Sequence, residues 1–150
     1  MQDLVLTTWA VMALVLLPAS GPTARAAGAG LSPMQGVWRS GDTTLRINVT
    51  GSEAKGLFAA VSQEARTLGF KPGDVSFVAT VMGNYLYGQQ TIRYGGNCHP
   101  NGRKVPLIGR LAPNGQVLAM HFYNVEVDPN CRDTGQVSVT ETLWQRQPDR

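Results

Sequence analysis

Alternation of apolar and polar residues dominates the last two thirds of the chain. The run TLRINVT at 44–50 places its Leu, Ile and Val on one side, and the run DVSFVATVM at 74–82 alternates in the same way. A period of two is typical of a half-buried β-strand. Similar runs lie at 56–62, 85–94, 105–111, 117–127 and 136–145. The pattern therefore predicts an all-β domain.

The strands follow one another at short intervals, which is typical of an antiparallel sandwich or barrel. We expect a small antiparallel meander barrel of about seven to eight strands, forming a single domain over residues 36–147. Only the segment SQEARTLGF at 62–70 is typical of a helix, because Ser62 can cap it and Gly69 can end it. One short helix is predicted there.

The hairpin around APNGQ at 112–116 allows two registers. A type I turn with Pro113 at its first central position and Gly115 in a left-handed conformation would place Leu111 opposite Val117. A two-residue Asn-Gly turn would shift every partner by one residue, and would put Pro113, which has no N–H, at a paired position. We favour the first register.

Strand parity along 117–127 separates two faces. One face carries His121 and Tyr123 among Val and Ala residues, and the other carries Leu118, Met120 and Phe122 before turning polar at Asn124 and Glu126. The first face has no full charge along its length. We therefore predict that His121 and Tyr123 point into the barrel, and that the Leu118 face lies outside.

The N-terminal region differs from the rest. An apolar run at 4–17 is followed by Pro18 and small residues, with possible cleavage sites near 26–29. This layout predicts a signal peptide over residues 1–27, followed by a flexible segment at 28–35. The run is shorter than the roughly 20 residues of a spanning helix, so an uncleaved anchor is the less favoured alternative. We expect a secreted or periplasmic protein with no membrane insertion after cleavage.

The only two cysteines are Cys98 and Cys131. In an oxidising compartment an even pair is most simply a disulfide, and it would join the loops GGNCHPNGRK and DPNCRDTG. A thiol pair or a zinc site is the alternative, but two histidines and no Cys-x-x-Cys provide too few ligands. We predict a disulfide, no metal and no cofactor.

The formal net charge is +3, and the basic residues are scattered along the chain. Such a distribution gives little reason to expect a nucleic-acid partner. No nucleophile elbow and no phosphate-binding loop is present. No catalytic residue is therefore predicted.

Gly36-Val37-Trp38 opens the first strand, and Arg146 follows Leu143-Trp144-Gln145 near the end of the last one. A Gly-x-Trp start and a terminal Arg on a strand meander resemble the lipocalin and avidin group of small ligand-binding barrels. The resemblance implies that Trp38 packs across the closed end of the barrel and that Arg146 covers its ring. The alternative is that Trp38 and Trp144 are ordinary core aromatics.

Two groups of residues are candidates for binding. On the predicted interior, His121, Tyr123 and Glu141 would line a ligand pocket, with a solvated Glu141 and a core His121 as the alternative reading. On one hairpin arm, Tyr85, Tyr87 and Arg93 share parity, and aromatic residues beside Arg are enriched at protein interfaces.

We expect an exported, non-catalytic protein that binds a small apolar molecule inside the barrel. A protein-binding module, such as an inhibitor of a secreted enzyme, is the first alternative. A barrel isomerase or cyclase that uses His121 and Glu141 as an acid–base pair is the second.

Overall fold

The described part of the chain, residues 32–95, 98 and 102–148 of a computed structural model, folds into eight strands and one short helix. The predicted signal peptide and its cleavage region lie outside the described residues. In chain order the elements are β1 (Gly36–Ser40), β2 (Thr43–Thr50), β3 (Glu53–Ala60), α1 (Gln63–Thr67), β4 (Val75–Met82), β5 (Tyr85–Ile92), β6 (Arg103–Leu111), β7 (Val117–Val127) and β8 (Asp133–Arg146).

The strands form a closed antiparallel barrel in which each strand pairs with the next and β8 pairs with β1. Three of the hairpins have two-residue turns whose first residue is a glycine at positive φ, namely Gly41, Gly51 and Gly83. A first turn residue at positive φ matches the type II′ turn, which favours glycine at this position. The all-β meander barrel is confirmed, as are its single short helix and its disulfide.

The up-and-down order of the strands gives the barrel two unlike ends. One end carries the short turns of β2–β3 and β4–β5, the β6–β7 hairpin and the segment that precedes β1. The other end carries α1 and the two loops that hold the cysteines. We call the first the closed end and the second the open end.

In the described part of the chain, no helix is long and apolar enough to cross a membrane.

Arg146 closes the barrel between β1 and β8. Its guanidinium lies 4.4 Å from the centre of the Trp38 ring, as the resemblance implied. The same group donates to the carbonyl oxygens of Gly115 at 2.9 Å, Gln35 at 2.9 Å and Pro33. Trp38 is fully buried. One cation therefore joins the last strand, the β6–β7 hairpin and the segment before β1.

The residues just before β1 belong to the barrel. Met34 is fully buried, and its carbonyl oxygen accepts a hydrogen bond of 3.0 Å from the indole Nε1 of Trp38. The described end of the segment predicted to be flexible, residues 32–35, is therefore part of the closed end. Gly36 has φ +140, and a Cβ atom there would lie 2.8 Å from Nη1 of Arg146. The glycine of the Gly-x-Trp motif thus gives the guanidinium room to reach the carbonyls.

The register predicted for the β6–β7 hairpin is wrong by one residue. Leu111 pairs with Leu118, not with Val117. Gly115 does adopt positive φ, and its N–H bonds the Ala112 carbonyl at 2.9 Å, as expected for a turn over Pro113. Gln116 also belongs to the loop, however, because Ala112 bonds directly to Val117 at 2.8 Å. This four-residue loop gives the pairing of the rejected alternative without requiring Pro113 to pair.

The interior face predicted for β7 is also wrong. Leu118 and Met120 are buried in the core, whereas the side chain of His121 is 41% exposed and Tyr123 is 43% exposed. On β8, Trp144 is buried, and the residues at alternate positions before it, Thr142 and Thr140, point inward as well. Leu143, on the other face, is 53% exposed. Asn124, the polar residue that made the Leu118 face look external, lines a cavity.

The two open-end loops are joined by the Cys98–Cys131 disulfide, with a Cα–Cα distance of 5.1 Å. Beside the disulfide, Arg103 forms a bidentate ion pair with Asp133. One of its two hydrogen bonds, from Nη2 of Arg103, measures 2.8 Å. The hydrogen bond to Asp133 raises the pKa of Arg103 above its usual value. The Tyr94 hydroxyl donates to the Val125 carbonyl at 2.7 Å. These contacts attach the long β7–β8 hairpin to the β5–β6 loop.

Replacing Arg146 by Met should destabilise the barrel strongly. The variant keeps an unbranched apolar stem but leaves the Gln35 and Gly115 carbonyls without their donor, so we expect a loss of about 2–4 kcal/mol in the free energy of unfolding. Denaturant unfolding followed by tryptophan fluorescence measures it. Arg39→Met is the matched control on β1, where an exposed Arg bonds only locally, and it should cost less than about 1 kcal/mol. Equal losses in the two variants would contradict this role for Arg146.

Candidate functional site

A cavity of about 450 Å³ opens at the open end of the barrel. This volume falls within the range of small-molecule sites in proteins, roughly 300–1,000 Å³. Its walls come from the ends of β5, β7 and β8, and its mouth is bordered by α1 and the β1–β2 turn. The apolar part of the lining is Phe58, Ala65, Leu68, Phe70, Ile92, Phe122 and Trp144.

The remaining lining is mostly uncharged and polar. Its neutral hydrogen-bonding members are Ser40, Thr43, Ser76, Gln90, Thr91, Asn124, Thr140 and Thr142. Below them, in the closed half, inward side chains such as Trp38, Ile47, Phe77 and Leu107 fill the barrel. Gly56 makes room there, because a Cβ atom at this position would lie 2.2 Å from the Phe77 ring. The barrel is therefore packed in its closed half and polar-lined in its open half.

Three lining residues have a buried polar atom without a hydrogen-bond partner among the described residues. They are the indole Nε1 of Trp144, the Nε of Arg93 and the side-chain Oε1 of Gln90. Leaving a buried donor or acceptor unsatisfied costs about 1–3 kcal/mol. The side chains of Trp144, Arg93 and Gln90 line the cavity, but these three atoms are themselves almost inaccessible to solvent, so a small molecule would pair with them only after the side chains turn toward it.

The helix α1 and the turn after it cover one side of the mouth. Ser62 caps the helix, since its Oγ accepts from the Ala65 N–H at 3.2 Å, and its own N–H donates to Oγ1 of Thr43 at 3.3 Å. Phe70, which follows the helix, packs against Phe58 with ring centres 5.2 Å apart. These contacts fix the helix over the aromatic part of the lining.

Arg93 holds the segment between α1 and β4 to the end of β5. Its guanidinium lies 4.6 Å from the centre of the Phe70 ring, donates to the Gly69 carbonyl, and reaches a carboxylate oxygen of Asp74 at 3.5 Å. The Arg93 and Asp74 side chains are only 21% and 19% exposed. Because Asp74 opposes the charge of Arg93, and Glu64 also lies at the mouth, the site has no excess of positive charge.

The residues predicted to line the pocket lie on the outer surface. Nε2 of His121 is 3.3 Å from a carboxylate oxygen of Glu141, and the side chain of Glu141 is 55% exposed. Tyr123 lies on the same outer face. The structure does bring His121 and Glu141 together, as strand neighbours, but outside the barrel. The cavity is instead lined by the residues of opposite parity.

The predicted interface group is divided. Tyr85 and Tyr87 are exposed and stack with ring centres 6.0 Å apart. Arg93 lies beyond the other end of β5, where it contacts Gly69, Phe70 and Asp74. The shared parity of the three residues did not place them together.

The polar lining was missed because Thr140, Thr142 and Asn124 carry no catalytic or ligand motif. Strand parity along β8 could have identified Thr140 and Thr142. Trp144, Thr142 and Thr140 share parity with Arg146, which the Gly-x-Trp resemblance already assigned to the inner seam. Following that parity along β8 places both threonines inside and Glu141 outside.

The fold and the cavity define a small closed antiparallel barrel, consistent with a lipocalin-like architecture. No family model, curated protein or solved structure matches the chain significantly. Within the described ranges, no group of three or more His, Cys, Asp or Glu residues could hold a metal ion.

Replacing Arg93 by Met should loosen the segment between α1 and β4. The variant loses the hydrogen bond to Gly69 and the ion pair with Asp74, so local opening should become about 10- to 100-fold more frequent. Amide hydrogen exchange at Gly69 and Phe70 measures this, because both N–H groups bond to backbone carbonyls of α1, those of Arg66 and Ala65. Arg66→Met, an exposed Arg of α1, is the control. Equal exchange in the two variants would show that Arg93 does not hold the segment.

Proposed function

We propose that this protein is an exported, non-catalytic binding protein that holds a small molecule in the open-end cavity. The observation that carries the proposal is the group of buried, unpartnered polar atoms on Trp144, Arg93 and Gln90. A barrel that only needed to be stable would gain from apolar residues at these positions, as in its closed half. A bound molecule would remove their cost if these side chains, which line the cavity, turned to pair with it.

The lining suggests the chemistry of the ligand. Two donors and one acceptor call for a molecule that offers a carbonyl-type acceptor and an N–H or O–H donor at one end. Phe58, Phe70 and Phe122 provide apolar contact for the rest of it. The charge of Arg93 is opposed by Asp74, which favours a neutral ligand over an anion. An amide, a lactam or a hydroxyketone with an apolar body fits, in place of the small apolar molecule expected from the sequence.

A thermal-shift screen of the full chain should detect this preference. We expect neutral amide and lactam fragments to raise the melting temperature more than hydrocarbons or carboxylates of equal size. For the best fragment, Gln90→Leu and Trp144→Phe should each weaken the affinity measured by calorimetry roughly 5- to 150-fold, because each leaves a polar group of the ligand unpaired.

Gln89→Leu is the matched control, since Gln89 is the exposed neighbour of Gln90 on the same strand, and its affinity should equal that of the unchanged protein. Preferential stabilisation by hydrocarbons or by carboxylates would contradict the ligand class. Equal effects of the Gln89 and Gln90 variants would contradict the site itself.

Export is supported by two observations. The chain begins with an apolar run followed by small residues, and the loops at the open end are joined by a disulfide, which persists in oxidising compartments. We expect the protein isolated from the periplasm or medium of the producing cells to begin near residues 26–29, as N-terminal sequencing would show. A protein that stays in the cytoplasm with residues 1–27 intact and both cysteines reduced would contradict export.

A further inference from the structure

One edge of β8 has no partner strand over most of its length. On one side, β7 pairs with β8 without a break from Gln145 back to Val137. On the other side, β1 pairs only with Gln145 and Arg146. Among the described residues, no other strand pairs with β8. The edge of β8 that faces away from β7 is therefore open from Val137 to Leu143, and we call it the free edge.

The backbone hydrogen bonds near the end of β8 show which groups point toward the free edge. The N–H of Arg146 donates to the Gln116 carbonyl at 2.9 Å, on the β7 side. The N–H of Gln147 donates to the Val37 carbonyl at 2.8 Å, on the β1 side. Successive residues of a strand direct their N–H and C=O groups to opposite neighbours. The residues whose backbone groups point toward the free edge are therefore Val137, Val139, Glu141 and Leu143.

The sequence of the free edge favours pairing with another strand. The run VSVTETL at 137–143 contains no Pro and no Lys, which are two residues that commonly protect an edge strand. Its single charge, on Glu141, already lies 3.3 Å from His121. The pairing with β7 is regular here, since the irregularity in that ladder comes after Val125. The free edge is thus a regular strand of mostly β-branched residues, which have high β-propensity.

Two depressions flank the free edge. On its inner side, the cavity of about 450 Å³ is lined by Thr140 and Thr142 of β8. On its outer side, a second depression of about 390 Å³ is lined by Leu143 of β8 and Arg39 of β1. Ser40, at the end of β1, borders both. The gap between the free edge and the β1–β2 turn therefore has space on both faces of the sheet.

An extended peptide fits this arrangement, because successive side chains of a strand point to opposite faces. Paired residues on neighbouring strands project to the same side. Peptide residues opposite Thr140 and Thr142 would enter the cavity, and a residue opposite Leu143 would enter the outer depression. The three phenylalanines of the cavity lining favour apolar side chains at the inward positions. The peptide backbone would meanwhile pair with the free edge.

We propose that the free edge of β8 binds an extended peptide segment of another protein, which adds a strand to the sheet and places alternate side chains in the cavity. In this mode of recognition, main-chain hydrogen bonds supply affinity and pockets for alternate side chains supply selectivity. The proposal goes beyond the binding of a small molecule. The two ligands share the mouth of the cavity, but neither requires the other.

Fluorescence anisotropy of the full chain with labelled, end-blocked seven-residue peptides tests this proposal. The peptides alternate threonine with alanine, valine or phenylalanine at the second, fourth and sixth positions. We expect the phenylalanine peptide to bind with a Kd in the micromolar range. It should bind about tenfold or more tightly than the alanine peptide, because its larger apolar side chains enter the cavity.

Methylation of the peptide backbone separates strand pairing from side-chain contacts. Only every second N–H of the peptide would face β8. Methylating one alternate set of N–H groups should therefore weaken binding about tenfold or more, and methylating the other set should weaken it less than about threefold. Equal weakening by the two sets would overturn the proposal.

Val139→Pro removes one N–H from the free edge without removing a hydrogen bond to β7. The variant should still unfold cooperatively, because Pro is tolerated where the N–H side of an edge strand faces solvent. Its affinity for the phenylalanine peptide should fall about tenfold or more. Val139→Ala is the matched control, since it shortens the same side chain but keeps the N–H, and its affinity should stay within about threefold. Equal affinities of the two variants would contradict pairing at the free edge.

The remaining outcomes distinguish this proposal from the binding of a small molecule. If no peptide binds at about 1 mM while neutral amide fragments do, the peptide proposal is overturned and the small-molecule proposal stands. If the peptides bind as described and no fragment does, only the small-molecule proposal fails. A dimer of the unchanged chain that Val139→Pro converts to a monomer would assign the free edge to a second copy, and would overturn the peptide proposal.

Discussion

The contact between Arg146 and Trp38 is the constraint on which the barrel depends. The β1–β8 ladder has only two residue pairs, whereas the β7–β8 ladder has ten. At this short seam the guanidinium covers the Trp38 ring and bonds carbonyls of the segment before β1 and of the β6–β7 hairpin. A strand pair with so few backbone hydrogen bonds needs side-chain contacts to hold it.

The interiors of the two halves of the barrel differ. In the closed half, Trp38, Phe77 and Leu107 fill the interior, and this packing supplies the hydrophobic stabilisation of the fold. In the open half, Thr140 and Thr142 turn polar groups inward while Val139 and Leu143 turn apolar groups outward. This reversal of the usual pattern sacrifices some stability along one stretch of strand. The proposed binding of a small molecule inside the barrel rests on this feature.

The periodicity of the sequence was sufficient to predict the fold. The bounds predicted for β7 agree with the structure, and α1 lies within the predicted helical segment. Turn residues around Cys98 and Cys131 correctly placed the disulfide between two loops. The Gly-x-Trp motif and Arg146 correctly identified the closed end. These predictions succeeded because strand alternation, turn chemistry and close packing are local properties of the sequence.

The candidate site was not predicted, because the assumption that apolar parity faces inward fails in the open half. His121, Tyr123 and Glu141 lie on the more apolar side of β7 and β8, yet that side is external. The register of the β6–β7 hairpin depended on whether Gln116 belongs to the loop, and turn propensity alone does not decide that. The position of the Arg93 side chain depends on contacts with a segment about twenty residues earlier in the chain. Strand parity cannot show such contacts.

We propose that the open-end cavity holds a small neutral molecule that contacts Trp144 and Gln90. A crystal structure of the protein isolated from its own producing cells, without added ligand, tests it most directly. The account predicts density for a non-protein molecule in the cavity, with an acceptor within hydrogen-bond distance of the Trp144 Nε1 and a donor facing Gln90. A cavity filled by side chains, or one in which ordered water alone satisfies both groups in every crystal, would contradict it.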